Sequence, residues 1–121
     1  MSGRELLGPW GEALAAEAYR KKRYRIVAMN YRTRYGEIDI IAENRRYLVF
    51  AEVKLRKNSD FGAAREFVDE RKRRRIISAA ELYLCEHETA LQPRFDVVEI
   101  YAPEGLDTKH PELQILEDAF S

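Results

Sequence analysis

Hydrophobic and polar positions alternate most regularly in two neighbouring stretches, GEIDII (residues 36–41) and YLVFAEVK (residues 47–54). Each is predicted to be a strand. In the first, Ile38, Ile40 and Ala42 share one face and Glu37, Asp39 and Ile41 the other. In the second, Tyr47, Val49, Ala51 and Val53 share a face, opposite Leu48, Phe50, Glu52 and Lys54. Glu52 and Lys54 therefore project together, because side chains on a strand repeat every two residues. The turn at Asn44-Arg45 decides whether Asp39 joins them. An even-length turn puts Asp39 on their face, beside or diagonal to Glu52. An odd one puts it on the reverse, since one step of register flips every side chain. Asn-Arg lacks the Asn-Gly signature of a type I′ turn, so the expectation rests on the even length alone.

The remaining pattern gives two helices and further strands. A helix is predicted over 9–22, with Pro9 in its first turn and residues 1–8 as a loose lead-in. Leu7, Trp10, Leu14 and Ala18 form its main apolar stripe, and Ala13, Ala15, Ala16 and Tyr19 fill much of the rest. Glu12 falls with Ala16 and Tyr19. A strand over 24–31 precedes the turn Arg32-Thr33-Arg34-Tyr35. A polar loop over 55–62 follows the hairpin. A second helix spans about 69–86, with Asp69 as N-cap and Ile76, Ala79, Ala80, Tyr83 and Leu84 facing the core. A strand over 94–101 follows, and 112–117 completes the chain as a strand at a sheet edge, with a short helix as the alternative. This order predicts an α/β fold, a mixed central β-sheet flanked by helices. The first three strands form an antiparallel meander. The second helix then crosses over to a fourth strand parallel to the third.

Composition narrows this picture. A length of 121 residues, 45% of them hydrophobic and 35% charged, suits a single globular domain over 1–121. No apolar run approaches a membrane span and no signal peptide opens the chain, so no membrane partner is expected and the cytoplasm is the expected compartment. The single cysteine, Cys85, has no disulfide partner and no zinc spacing, and is expected as a core or semi-buried thiol. Net charge is zero, yet charge is segregated. Residues 20–34 hold seven basic side chains and no acid, residues 71–75 are basic throughout, and acids dominate after Asp96. That permits a basic face for a polyanion, although charge runs also occur as ordinary solvated surface.

Asp39, Glu52 and Lys54 are the candidate chemistry. Two carboxylates offer hard oxygen ligands for Mg²⁺ or Mn²⁺, with the Val53 carbonyl as a further ligand. Such an ion polarises a phosphodiester, and the Lys54 ammonium orients water or stabilises phosphate charge. The competing reading is a cross-strand salt bridge from Lys54 to Glu37 or Asp39. Glu12 has two readings: an exposed acid favoured by the helix dipole, or a third carboxylate reaching the metal. Arg32, Arg34 and Arg56 are candidate nucleic-acid contacts, as are Arg71, Lys72, Arg73, Arg74 and Arg75. Asp96 is read as structural, paired with a basic neighbour.

Asp39 followed by Glu52-Val53-Lys54 resembles the PD-(D/E)xK nuclease signature of many restriction enzymes and Holliday-junction resolvases; the usual proline before the first Asp is Ile38 here. The wider pattern resembles the YraN family, a resolvase-like bacterial family. The matching residues are Gly11-Glu12, Asn30-Tyr31-Arg32, Gly36-Glu37-Ile38-Asp39, Phe50-Ala51-Glu52-Val53-Lys54, Arg56, Phe61-Gly62, Lys72 and Arg94-Phe95-Asp96-Val97-Val98. The resemblance implies a restriction-endonuclease-like fold and favours Glu12 as a metal ligand. It also implies an endonuclease dependent on Mg²⁺ or Mn²⁺ that hydrolyses phosphodiesters in branched or structured DNA, in preference to RNA. A homodimer would suit a two-fold symmetric substrate. The alternatives are a non-catalytic nucleic-acid-binding module on the same fold and a protein-interaction scaffold using the acidic C-terminal segment.

Overall fold

The structure, a computed structural model, describes residues 3–57 and 69–121, and for residues 3–6 the backbone alone. Helix α1 (Gly3–Lys21) leads into strands β1 (Arg25–Arg32), β2 (Glu37–Glu43) and β3 (Tyr47–Arg56). Helix α2 (Glu70–Glu86), β4 (Gln92–Tyr101), a 3₁₀ turn (Gly105–Asp107) and β5 (Glu112–Phe120) follow. The strands form one sheet in the order β1-β2-β3-β4-β5. β1–β2, β2–β3 and β4–β5 pair antiparallel, whereas β3–β4 is parallel. This is the expected mixed α/β sheet with a helix on each face, consistent with a restriction-endonuclease-like fold. Among the described residues no helix is long and apolar enough to cross a membrane.

Alternation along β3 sorts the core into two layers. Val49 and Ala51 pack with Ala15, Ala16 and Tyr19 of α1, together with Val98 and Ile100 of β4. Leu48 and Phe50 pack on the other face with Ile76, Ala79, Ala80 and Tyr83 of α2. The parallel β3–β4 pair, buried on both faces, is the centre of the sheet, and it also carries the buried charged residues Glu52, Arg94, Asp96 and Glu99.

Several boundaries and faces differ from the sequence reading. α1 begins at Gly3, so Pro9 lies inside the helix and residues 3–8 are not a loose lead-in. The face of α1 against the sheet is Gly11, Ala15, Ala16 and Tyr19, while Leu7, Trp10, Leu14 and Ala18 are only half-buried and Ala13 is exposed. Small side chains let the helix axis approach: a Cβ at Gly11 would lie 3.1 Å from the Leu55 side chain. β3 runs on to Arg56, so Leu55 and Arg56 belong to the strand and not to a loop. Phe61-Gly62 and the rest of the predicted loop after Lys57 lie outside the described residues. Cys85 is exposed. It follows Ile76 by about two and a half helical turns and therefore lies on the side of α2 away from the core.

The hairpin keeps the expected parity with a shifted turn. Glu43 pairs with Leu48 and Ile40 with Ala51, so the tip is Arg45-Arg46. Asn44 shapes it through its side chain, whose Oδ1 accepts from the Arg46 and Tyr47 amides at 2.8 and 2.7 Å. This Asx turn does the work that Asn-Gly does in type I′ hairpins.

Candidate metal and nucleic-acid site

The β2–β3 ladder stops at Ile40–Ala51, one pair short of Asp39 and Glu52. Beyond it β3 continues alongside β4 alone. The freed Val53 amide donates to Asp39 Oδ2 at 2.8 Å, so a carboxylate replaces the backbone acceptor that the ladder would have supplied. Ile38, expected to share a face with Ile40, packs instead in the layer under α2. The alternation of β2 therefore fails where its partner strand departs.

A cleft of about 490 Å³ opens at this point. Glu37, Asp39 and Glu52 line it from the sheet, and Asp69, Arg71, Lys72 and Arg75 line it from α2 and its N-cap. Asp39 and Glu52 thus face the same space, as the even turn predicts. Lys54 Nζ lies 3.6 Å from Glu52 Oε1, and the Lys72 ammonium also contacts Glu52 Oε1. Lys54 therefore pairs with Glu52, not with Glu37 or Asp39.

The electrostatics follow from crowding. Burial, then the charge of Glu52, pushes the Asp39 carboxyl up to about 8, although the Val53 amide opposes the shift. Burial and the neighbouring Lys72 lower the pKa of Lys54. Burial would lower Lys72 too, but its bond to Glu52 outweighs that and raises it. Glu12 contributes a smaller part of the upward shift of Asp39, although it is not among the residues that line the cleft. Its Oε1 accepts from Asn30 Nδ2 at 3.0 Å.

Asn30 is a site neighbour that the strand pattern did not single out. It adopts φ 51° inside β1, a left-handed conformation that asparagine tolerates better than most residues. A register shift between Ile26 and Ala28 accompanies it. The available signal was an Asn within an otherwise β-prone run.

The expected basic residues divide by location. Arg71, Lys72 and Arg75 line the cleft. Arg74 points elsewhere and pairs with Glu70 at 2.9 Å, and Arg73 is half-buried. Arg32 lies 3.4 Å from Glu37, and Arg34 hydrogen-bonds the Tyr35 hydroxyl at 2.7 Å. The turn carrying them is clamped to α2: a Cβ at Gly36 would sit 2.5 Å from the Arg75 carbonyl oxygen. Arg56 pairs at 3.3 Å with Glu99, a fully buried acid on β4. A phosphate contact by Arg56 would have to compete with that pair.

Asp96 is structural, as its neighbours led one to expect. It accepts from Arg94 Nε and Nη2 at 2.9 Å, from the Tyr19 hydroxyl at 2.9 Å and from the Asp118 amide at 3.0 Å.

Among the described residues no three His, Cys, Asp or Glu side chains are gathered as a ready metal-binding group. The donor set nonetheless suits a hard cation in part. Asp39 and Glu52 are close enough for one to raise the pKa of the other, and a divalent ion would relieve the same repulsion that a proton relieves now.

A UPF0102 protein of Acetivibrio thermocellus is 40% identical over 116 residues, covering 93% of this chain and 89% of the relative. One from Syntrophotalea carbinolica is 44% identical over 95 residues, covering 78% and 77%. One from Flavobacterium psychrophilum is 36% identical over 114 residues, covering 94% and 92%. Residues 11–100, which include Glu12, Asp39, Glu52, Lys54 and Lys72, match the family described as uncharacterised protein family UPF0102, and the chain belongs to that family.

Proposed function

We propose that this protein is a divalent-metal-dependent endonuclease that hydrolyses phosphodiester bonds in nucleic acid, with branched or structured DNA as its substrate class. The observation that carries this reading is the meeting of Asp39 and Glu52 in one cleft flanked by Arg71, Lys72 and Arg75, with the Lys54 ammonium 3.6 Å from Glu52. Asp39 and Glu52 would hold Mg²⁺ or Mn²⁺, with Glu12 available on their flank. The ion would supply Lewis-acid polarisation of the phosphodiester. Lys54, two residues after Glu52 on the same face, would orient the attacking water. Its partly desolvated position makes its electrostatic effect larger than in open water. The arginines bind the flanking phosphates, where a planar guanidinium forms paired hydrogen bonds. The resemblance to PD-(D/E)xK nucleases supports the same assignment of residues.

The test is cleavage of branched, flapped and single-stranded DNA with Mn²⁺ by the wild type, Asp39→Ala and Lys54→Ala. Each substitution is expected to reduce the rate by at least about a hundredfold. Cleavage that survives both removes the mechanism.

A second reading, a nucleic-acid-binding module without catalysis, is favoured by the two lysines that already neutralise Glu52. It predicts salt-dependent DNA binding that is indifferent to chelator and to Asp39→Ala.

A further inference from the structure

Two ammonium groups converge on one oxygen of Glu52, and they arrive by different routes. Lys54 follows Glu52 by two residues on the same strand face, so strand geometry alone brings it near, at 3.6 Å. Lys72 comes from the first turn of α2, where its own backbone amide donates to the Asp69 cap at 2.8 Å. Its side chain is 43% exposed, yet its ammonium reaches a carboxylate that is 6% exposed. Holding a long, half-exposed side chain in one conformation costs rotamer entropy, and a cation in a first helical turn is disfavoured by the helix dipole. The attraction of Glu52 has to exceed both.

The other cations of that turn behave differently. Arg71 and Arg75 line the cleft, and Arg74 is paired with Glu70. Of the other acids, Glu37, which also lines the cleft, pairs with Arg32, and Glu12 is engaged with Asn30. Lys72 is therefore the cation that reaches from α2 onto the cleft's most buried negative charge, which it shares with Lys54 and which a divalent ion would seek.

We propose that Lys72 is a tethered counter-cation: it occupies Glu52 while the cleft holds no metal, and is released to a substrate phosphate when a divalent ion enters. This rests on the metal-dependent reading above. The arrangement couples the two ligands. Metal entry frees a phosphate-binding ammonium at the place where the phosphodiester must lie, and a bound phosphate, by holding Lys72, favours metal entry in return.

Calorimetric titration of Mn²⁺ into the wild type, Lys72→Met and Arg74→Gln, without nucleic acid, tests the proposal. Lys72→Met is expected to tighten Mn²⁺ binding by about fivefold or more. Arg74→Gln removes one positive charge from the same turn, outside the cleft, and is expected to change it by less than about twofold. In parallel, reductive methylation of Lys72 read by mass spectrometry should rise when Mn²⁺ is added to the wild type. If the wild type binds Mn²⁺ and the two variants shift alike, or Lys72→Met binds no tighter, the tether is refuted while the metal site stands. If neither the wild type nor Lys72→Met binds Mn²⁺, the tether and the metal-dependent reading fall together.

Discussion

Asp39 is the residue on which the proposed chemistry turns, and its state is set by surroundings that oppose its charge. With its pKa pushed from 3.8 to about 8 by burial and by Glu52, it keeps a proton at neutral pH that the unfolded chain has lost. The sign follows directly. Between pH about 4 and about 8 the folded state binds the extra proton, so stability falls as pH rises through that window and levels off above it. Asp39→Asn removes the titration. It should flatten this part of the profile and raise stability at pH 8 by about 1–3 kcal/mol in urea unfolding. Metal affinity should run the other way, strengthening from pH 6 to pH 8 as the competing proton leaves. The acids and Lys54 were legible in the sequence because alternation places them on one face. Asn30 and Lys72 stood out only through the resemblance to the YraN family, because neither a positive φ inside a strand nor a contact from a distant helix leaves a periodic trace.

At the scale of elements, the hairpin and α2 build the site between them. The strand pattern of β3 predicted its two faces correctly. It did not show that the ladder with β2 would end before Asp39, since an interrupted ladder needs a competing acceptor, and that acceptor is the Asp39 side chain. The apolar stripe of α1 was misjudged for a related reason. Large side chains suggest a core face, whereas close helix–sheet packing selects small ones, and Gly11 against Leu55 marks where that happens. Gly36 is the corresponding close approach for the basic turn. Gly36→Ala should push the turn off α2 and destabilise the fold by about 1–3 kcal/mol, read as a lowered denaturation midpoint. Nucleic-acid affinity should fall with it, because Arg32 and Arg34 lose their fixed relation to Arg71 and Arg75.

For the molecule as a whole, a buried polar knot ties the ends of the chain together. Asp96 on β4 joins Tyr19 of α1, Arg94 of the same strand and the backbone of β5 at Asp118, which has φ 53°. Removing the carboxylate strands a guanidinium that is nearly buried. Asp96→Ala should therefore cost about 3–5 kcal/mol, with Asp96→Asn losing less. The segregated charge seen in the sequence acquires a location in the same way. Arg71 and Arg75 face the cleft, while the acids Glu112, Glu117 and Asp118 sit on the edge strand β5. If the two arginines contact phosphates, Arg71→Gln with Arg75→Gln should lower the slope of log affinity against log salt by about 2. The sheet order and the parallel β3–β4 pair were legible from element order and crossover rules. Of the polar knot only the pairing of Asp96 with a basic neighbour was legible, since the other members are spread from Tyr19 to Asp118 with no shared spacing.

The most direct test is an anomalous-scattering measurement at the manganese edge on crystals soaked in Mn²⁺. The expected result is a peak in contact with the carboxylates of both Asp39 and Glu52, with the Lys72 ammonium moved off Glu52. No peak at a concentration that saturates known Mn²⁺ enzymes, with Lys72 still seated on Glu52, would contradict the metal-dependent account.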